Sequence, residues 1–214
     1  MTRLCPPLTP DAAAAVQRAC IRLLCERAFR SWPVRPKLVI SPDDSENAFR
    51  DFVGPYIPIL PQGDGNLGQR LARATKTAFD GDAEALLIIG SDSPTLPERL
   101  IRDAQTALTN SDAVIGPCED GGFYLLGLTA AHDDLFQNID WSSEKVAQQT
   151  TARVKACGMS IAQLEPWFDI DRPEDLERML DNRIYAAFGD ALSGIHDLVS
   201  LMLVARAVEE ADYD

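Results

Sequence analysis

Ala85-Leu86-Leu87-Ile88-Ile89-Gly90-Ser91-Asp92-Ser93-Pro94 is the stretch on which the reading of the fold turns. Its five unbroken apolar residues match a parallel strand covered on both faces, because alternation disappears when neither face meets water. The run stops at Gly90-Ser91, so Asp92 is expected at the carboxyl edge of a sheet, where open α/β folds bind their ligands. Taken by itself, Asp92 reads equally well as a cap for the following helix.

Working outward, Thr9-Pro10-Asp11 is a helix start, with Thr9 as N-cap and Pro10 at the first helical position, and the helix is expected to run to about Phe29. Trp32-Pro33 and Arg35-Pro36 break it, and Lys37 to Ile40 reads as a short buried strand. Tyr56 to Leu60 is a second short strand, on an edge because of Pro58. Helical spacing covers Leu67 to Phe79 and Pro97 to Leu108, with strands at Ala113 to Ile115 and Phe123 to Leu128. A helix from Glu144 to Cys157 closes on Gly158, a strand follows near Ile161 to Leu164, and a helix starts at Asp171-Arg172-Pro173 with Asp171 as its N-cap. Leu192 to Val208 forms a last amphipathic helix. This alternation predicts a three-layer α/β/α sandwich with a mostly parallel sheet, in one domain over residues 1–214.

At 214 residues and 46% hydrophobic, the chain can bury one substantial core. A net charge of −13 argues against nucleic-acid backbones as partners, since Lys and Arg carry that affinity. The apolar runs fall short of the roughly 20 residues that span a membrane, and no signal-peptide pattern opens the chain, so a cytoplasmic protein without a membrane partner is expected. Five cysteines without C-x-x-C spacing argue for reduced thiols, and two histidines supply little for a histidine metal centre or a Ser/His/Asp triad. The acidic end, Glu209, Glu210, Asp212 and Asp214, reads as a solvated tail.

Four segments could carry chemistry. Asp92 suits Mg²⁺ or Mn²⁺, hard ions that take oxygen ligands and are shared with substrate phosphates. Phe168-Asp169-Ile170-Asp171 offers two alternating carboxylates that could complete such a site. In Glu119-Asp120-Gly121-Gly122 the paired glycines allow positive φ or close approach to a ligand, although a plain hairpin would need them too. Gln62-Gly63-Asp64-Gly65-Asn66-Leu67-Gly68-Gln69-Arg70 precedes a helix whose amides could hold a base or phosphate, without dinucleotide or Walker spacing.

In this order, the Gln62 to Leu71 loop, Ile88 to Pro94, Gly116-Pro117-Cys118-Glu119-Asp120-Gly121-Gly122-Phe123-Tyr124-Leu125-Leu126-Gly127, Trp141-Ser142-Ser143 and Phe168 to Leu176 resemble the DUF2064 family. These are glycosyltransferase-A-like (GT-A) nucleotide-diphosphosugar transferases, and the resemblance covers about residues 2–180, leaving 181–214 as a helical extension. It implies a Rossmann-like GT-A fold, a nucleotide or nucleotide-sugar donor, a small-molecule acceptor and a divalent metal. By the same similarity, Asp92 binds metal with Asp169 or Asp171, and Asp92 and Asp120 are the catalytic carboxylates. Thr2, Arg3, Gln62, Gly68 and Arg70 border the nucleotide, whereas Glu119, Gly121, Gly122, Trp141 and Ser142 face the acceptor.

The family pattern opens with an apolar strand and a basic loop running into Lys-Thr-Arg-Leu, whereas this chain starts Met1-Thr2-Arg3-Leu4. Either this start lies downstream of the true one, or the chain is a truncation without the first strand, with a weaker grip on phosphate and a strand edge that another copy in a homo-oligomer, or the C-terminal helix, would cover. The resemblance implies a metal-dependent glycosyl transfer. Its alternatives are nucleotidyl transfer resembling that of phospholactate guanylyltransferase, and a degenerate nucleotide-binding or scaffold protein without turnover.

Overall fold

The computed structural model describes residues 2–81 and 83–179, in two compact units. The first unit comprises residues 2–24, 91–95 and 169–179, and the second comprises residues 25–90 and 96–168. The expected helix at Leu192 to Val208 lies outside the described residues.

In the first unit, a 3-10 turn at Thr2–Leu4 leads into helix α1 (Pro10–Ser31), which continues into the second unit beyond Leu24. Thr9 caps α1 as expected, its Oγ1 accepting the Ala12 amide at 3.2 Å, so an orphan donor of the first turn is satisfied. Among the described residues, no strand precedes α1. Leu4, Leu8, Val16, Cys20, Leu23, Ile170 and Leu176 form the core of this unit. Helix α6 (Pro173–Met179) closes it.

The second unit holds β1 (Leu38–Ile40), α2 (Glu46–Val53), β2 (Ile59–Pro61), α3 (Leu67–Asp80) and β3 (Leu86–Ile89), then α4 (Glu98–Ala107), β4 (Ala113–Pro117), β5 (Phe123–Leu128), α5 (Val146–Ala156) and β6 (Ile161–Gln163). β1 and β2 form a parallel pair, while β3, β5, β4 and β6 form a four-stranded sheet in that spatial order. β5 pairs antiparallel with both β3 and β4, and β6 is parallel to β4, so β5 alone runs against the other three. The mostly parallel direction matches expectation.

Helices cover both faces of the four-stranded sheet. On one face Ala113, Ile115, Leu126 and Leu128 pack with Leu71 and Ala72 of α3 and Val154 of α5. On the other, Gly127 is flanked by Val114, Leu87 and Leu108, just past α4. Within this unit the layering is α/β/α. Leu126 and Leu128 are fully buried, and each such side chain contributes about 1.5–3 kcal/mol of burial.

Two expectations need correction. Leu86 to Ile89 are only half-buried rather than covered on both faces, because among the described residues β3 lies at the edge of its sheet with β5 as its one partner. Among the described residues β1 likewise pairs with β2 alone. Asp171 does not cap α6: the Asp175 carboxylate reaches back to the amides of Asp171, at 3.0 Å, and Arg172, at 2.7 Å. That is the returning arm of a capping box, with Asp175 at the third helical position.

Candidate functional site

The segments singled out in the sequence fall into two groups, one in each unit. In the first unit, the Ile170 amide donates to the Asp92 carbonyl at 2.7 Å, drawing the Ser91 to Thr95 segment beside Asp169 to Asp171. Ile170 is buried in the core, so the alternation of an extended segment turns Asp169 and Asp171 to the opposite side. The two aspartates are not equivalent. Asp171 is ion-paired with Arg3 at 2.6 Å, its carboxylate already neutralised by a guanidinium. Asp92 also acts on the core: the Cys20 thiol is pushed up to about 12, by burial foremost and by the nearby negative charge of Asp92.

In the second unit, three segments meet. The loop before α3 is built around Arg70, whose guanidinium donates to the Gly65 carbonyl, to Ser41 Oγ and to Gln62 Oε1 at 2.9, 2.9 and 3.0 Å. Ser41 follows β1 and Gln62 follows β2, so Arg70 ties the ends of both strands to the helix. Asn66 and Gln69 add a full capping box, each side chain accepting from the other's amide. Arg70 is thus an organiser of this loop, a role beyond the nucleotide contact expected from the resemblance.

Gly68 is buried on the first turn of α3. A β-carbon there would lie 2.7 Å from the Phe136 carbonyl oxygen and 2.8 Å from Trp141 Nε1, so only glycine admits this approach. Gly68 and Trp141, from different segments of the sequence, are therefore neighbours.

The Glu119-to-Gly122 turn is fastened at several points. Cys118 N donates to the Gly122 carbonyl at 2.9 Å, Gly121 N to the Cys118 carbonyl at 3.1 Å, and Gly122 N to Asp120 Oδ1 at 2.8 Å. Gly121 adopts φ +91° and lies against the backbone of Glu144, and its carbonyl accepts the Ala147 amide at 2.9 Å. This turn is thereby joined to the start of α5, shortly after Trp141 and Ser142. Glu119 is exposed, and its amide donates to the Trp167 carbonyl at 3.1 Å. Behind the turn, the Tyr124 ring fills the space left by Gly116 and its hydroxyl donates to the Glu165 carbonyl at 3.0 Å. Burial raises the Tyr124 phenol above its ordinary range.

Sequence reasoning overlooked the Asp175 back-bond and the Asn66–Gln69 capping box. The signal for the second was present, because Asn66 and Gln69 have the spacing of a capping box.

A family model described as "Uncharacterized protein conserved in bacteria (DUF2064)" matches residues 24–143. The chain belongs to the DUF2064 family. The match takes in the loop before α3, Asp92, the Glu119-to-Gly122 turn, Trp141 and Ser142. No curated protein matches this DUF2064 chain. Among solved structures, a "putative nucleotide-diphospho-sugar transferase" from Desulfovibrio desulfuricans G20 superposes with a TM-score of 0.78 at 26% identity, over 94% of this chain and 90% of that one. A 4-diphosphocytidyl-2C-methyl-D-erythritolsynthase from Anaerococcus prevotii has a TM-score of 0.55 at 14% identity, over 73% of this chain and 82% of that one. A CMP:2-keto-3-deoxy-manno-octonic acid synthetase complexed with CTP gives 0.53 at 14% identity, over 75% of this chain and 85% of that one. This DUF2064 chain thus has the Rossmann-like fold shared by nucleotide-sugar and nucleotidyl transferases. No helix among its described residues is long and apolar enough to cross a membrane.

Proposed function

We propose that this protein transfers a glycosyl group from a nucleotide-sugar donor to a small-molecule acceptor, with Mg²⁺ or Mn²⁺ at the donor diphosphate. The observation that carries the reading is the Ile170–Asp92 backbone bond, which brings the carboxylate-bearing segments Ser91–Asp92 and Asp169–Asp171 together. Their donors are all hard oxygens, the set that suits these ions. Asp92 and Asp169 are the ligands we assign, because Asp171 is taken up by Arg3. When bound, the ion neutralises the diphosphate and makes it a better leaving group.

The residues of the chain mainly position and neutralise. Arg3, beside Asp171, borders the phosphates together with Thr2. The loop held by Arg70, with Gln62 and Gly68, borders the base and ribose. On the acceptor side are Glu119, Gly121, Gly122, Trp141 and Ser142. Asp120 binds the Gly122 amide through Oδ1, and its other oxygen takes the acceptor proton. The acceptor oxygen forms its bond to the anomeric carbon while the bond from that carbon to the diphosphate breaks, and the electron pair leaves with the nucleoside diphosphate. The neighbour described as a nucleotide-diphospho-sugar transferase and the synthetase bound to CTP support a nucleotide-activated donor.

The test is calorimetric titration of the 214-residue chain with nucleoside diphosphates, nucleotide sugars and triphosphates, with and without Mn²⁺. Metal-dependent binding should be lost in Asp92→Ala and largely kept in Asp171→Asn. Absence of binding to every nucleotide would refute the reading. Release of pyrophosphate in turnover, rather than a nucleoside diphosphate, would replace glycosyl transfer with nucleotidyl transfer.

A further inference from the structure

Two cavities lie along α3 in the second unit. One, of about 540 Å³, is bordered by Asn66, Gly68, Phe136, Asn138 and Trp141. The other, of about 270 Å³, is bordered by Arg73, Thr75, Lys76 and His132. Ala72 and Asp133 line both, so the two are successive compartments of one groove. From Asn66 to Lys76 the helix rises 1.5 Å per residue, which makes the groove about 15 Å long.

The far compartment has an unusual wall. Thr75 is only 2% exposed, and its hydroxyl has no hydrogen-bond partner among the described residues. A buried hydroxyl left unpaired is costly, and native structures normally supply it with a partner. Beside it, Lys76 is held only by an exposed ion pair with Asp80 at 3.1 Å, which solvent keeps weak, and His132 is exposed. Arg73 is occupied: its guanidinium donates to the carbonyls of Gln62 and Asp64. No planar fork is left to match a carboxylate, and the remaining donors are an ammonium, an imidazole N–H and a hydroxyl. Thr75 and Lys76 stand on α3 and His132 on another segment, and point donors from two sides fit a tetrahedral oxyanion.

We propose that this groove receives the acceptor, with Gly68 at the near end where donor and acceptor meet, and that Thr75, Lys76 and His132 form a subsite for a phosphoryl group at its far end. The inference rests on the transferase reading and narrows its acceptor to an elongated phosphomonoester, about 15 Å from phosphoryl group to reacting end. Asp133, at the junction, accepts a hydroxyl from the middle of that molecule.

The experiment is titration of the full chain with inorganic phosphate, followed by nuclear magnetic resonance of the α3 amides and by thermal melting, with acetate as the comparison anion. Phosphate should shift the amides around Thr75 and raise the melting temperature. Lys76→Ala, and separately Thr75→Val, should weaken phosphate about tenfold, the loss expected for one charge-assisted bond. Thr75→Val should also melt no lower than the parent without phosphate, which distinguishes a lost ligand contact from a damaged fold. Acetate binding as tightly as phosphate, or phosphate binding unchanged in both variants, would overturn the subsite. Asp92→Ala should leave phosphate binding at α3 intact. If nucleotides fail to bind while phosphate still binds there, the transferase reading falls and the subsite stands. If nucleotides bind and phosphate leaves α3 unmoved, the subsite falls alone.

Discussion

Replacing Gly121 by alanine should be one of the most damaging single-atom additions in the second unit. Gly121 sits at φ +91°, and a β-carbon there would fall into the Glu144 backbone, 2.5 Å from its carbonyl carbon and 2.6 Å from its Cα. Backbone cannot swing aside as a side-chain tip can, so either the turn or the start of α5 must move. Left-handed strain in a non-glycine residue costs about 1–2 kcal/mol. Forced overpacking adds about 1–3 kcal/mol, giving about 2–5 kcal/mol in total. Gly158 supplies the control, because it has φ +77° but nothing within 4 Å of its would-be β-carbon. Gly158→Ala should therefore cost only the strain, about 1–2 kcal/mol. Urea unfolding of parent and variants reads the difference directly, and at this chain length each kcal/mol corresponds to about 2–4 °C in melting temperature. If Gly121→Ala proves no worse than Gly158→Ala, the close approach of turn and α5 is wrong, and with it the joining of the acceptor-side segments.

Alkaline pH should destabilise the fold through two thiols. Burial pushes Cys25 up to about 11, and Cys20 reaches about 12, both from an ordinary 9.0. Above pH 9 the unfolded thiols lose protons that the folded ones keep, so stability falls as pH rises from about 9 toward 11–12, by at most about 1.4 kcal/mol per pH unit per thiol. Cys20→Ala should flatten that slope in urea titrations at about pH 8.5 and about pH 10.5, in the lower part of the window. An unchanged slope would remove Cys20 as its source. Gly116→Ala would set a β-carbon 2.6 Å from the Tyr124 hydroxyl and should cost about 1–3 kcal/mol, partly recovered when Tyr124→Leu vacates the ring's place. Arg3→Ala, by contrast, should cost under about 1 kcal/mol of stability in denaturant titration, because the Arg3 side chain is largely exposed.

The sequence was most legible where local chemistry decides. Thr9-Pro10 marked the start of α1, and the strand at Ala113 to Ile115 and the helix from Leu67 were found where their spacing put them. β3 was misjudged because an unbroken apolar run reports hydrophobicity, not how many neighbours a strand has. α2 was missed although Phe49, Phe52 and Val53 keep helical spacing, since eight residues give a weak pattern and bury none of them. At the candidate site, motif order put the Asp92 segment with the Asp169 to Asp171 segment, and the Ile170 amide bond to the Asp92 carbonyl joins their backbones. The pairing of Asp171 with Arg3 could not, because 168 residues separate the partners. The same holds for Gly121 against Glu144 and for Arg70 across β1 and β2, where packing of distant segments supplies the information.

The contact between Gly68 and Trp141 has an optical consequence. An indole held 2.8 Å from where a β-carbon would stand on α3 has little room to relax, and its emission should follow any movement of the helix start or of the segment from Phe136 to Trp141. Because the same indole borders the larger compartment of the groove, occupancy should alter its quenching. The molecule carries its own fluorophore at the place where its loops converge.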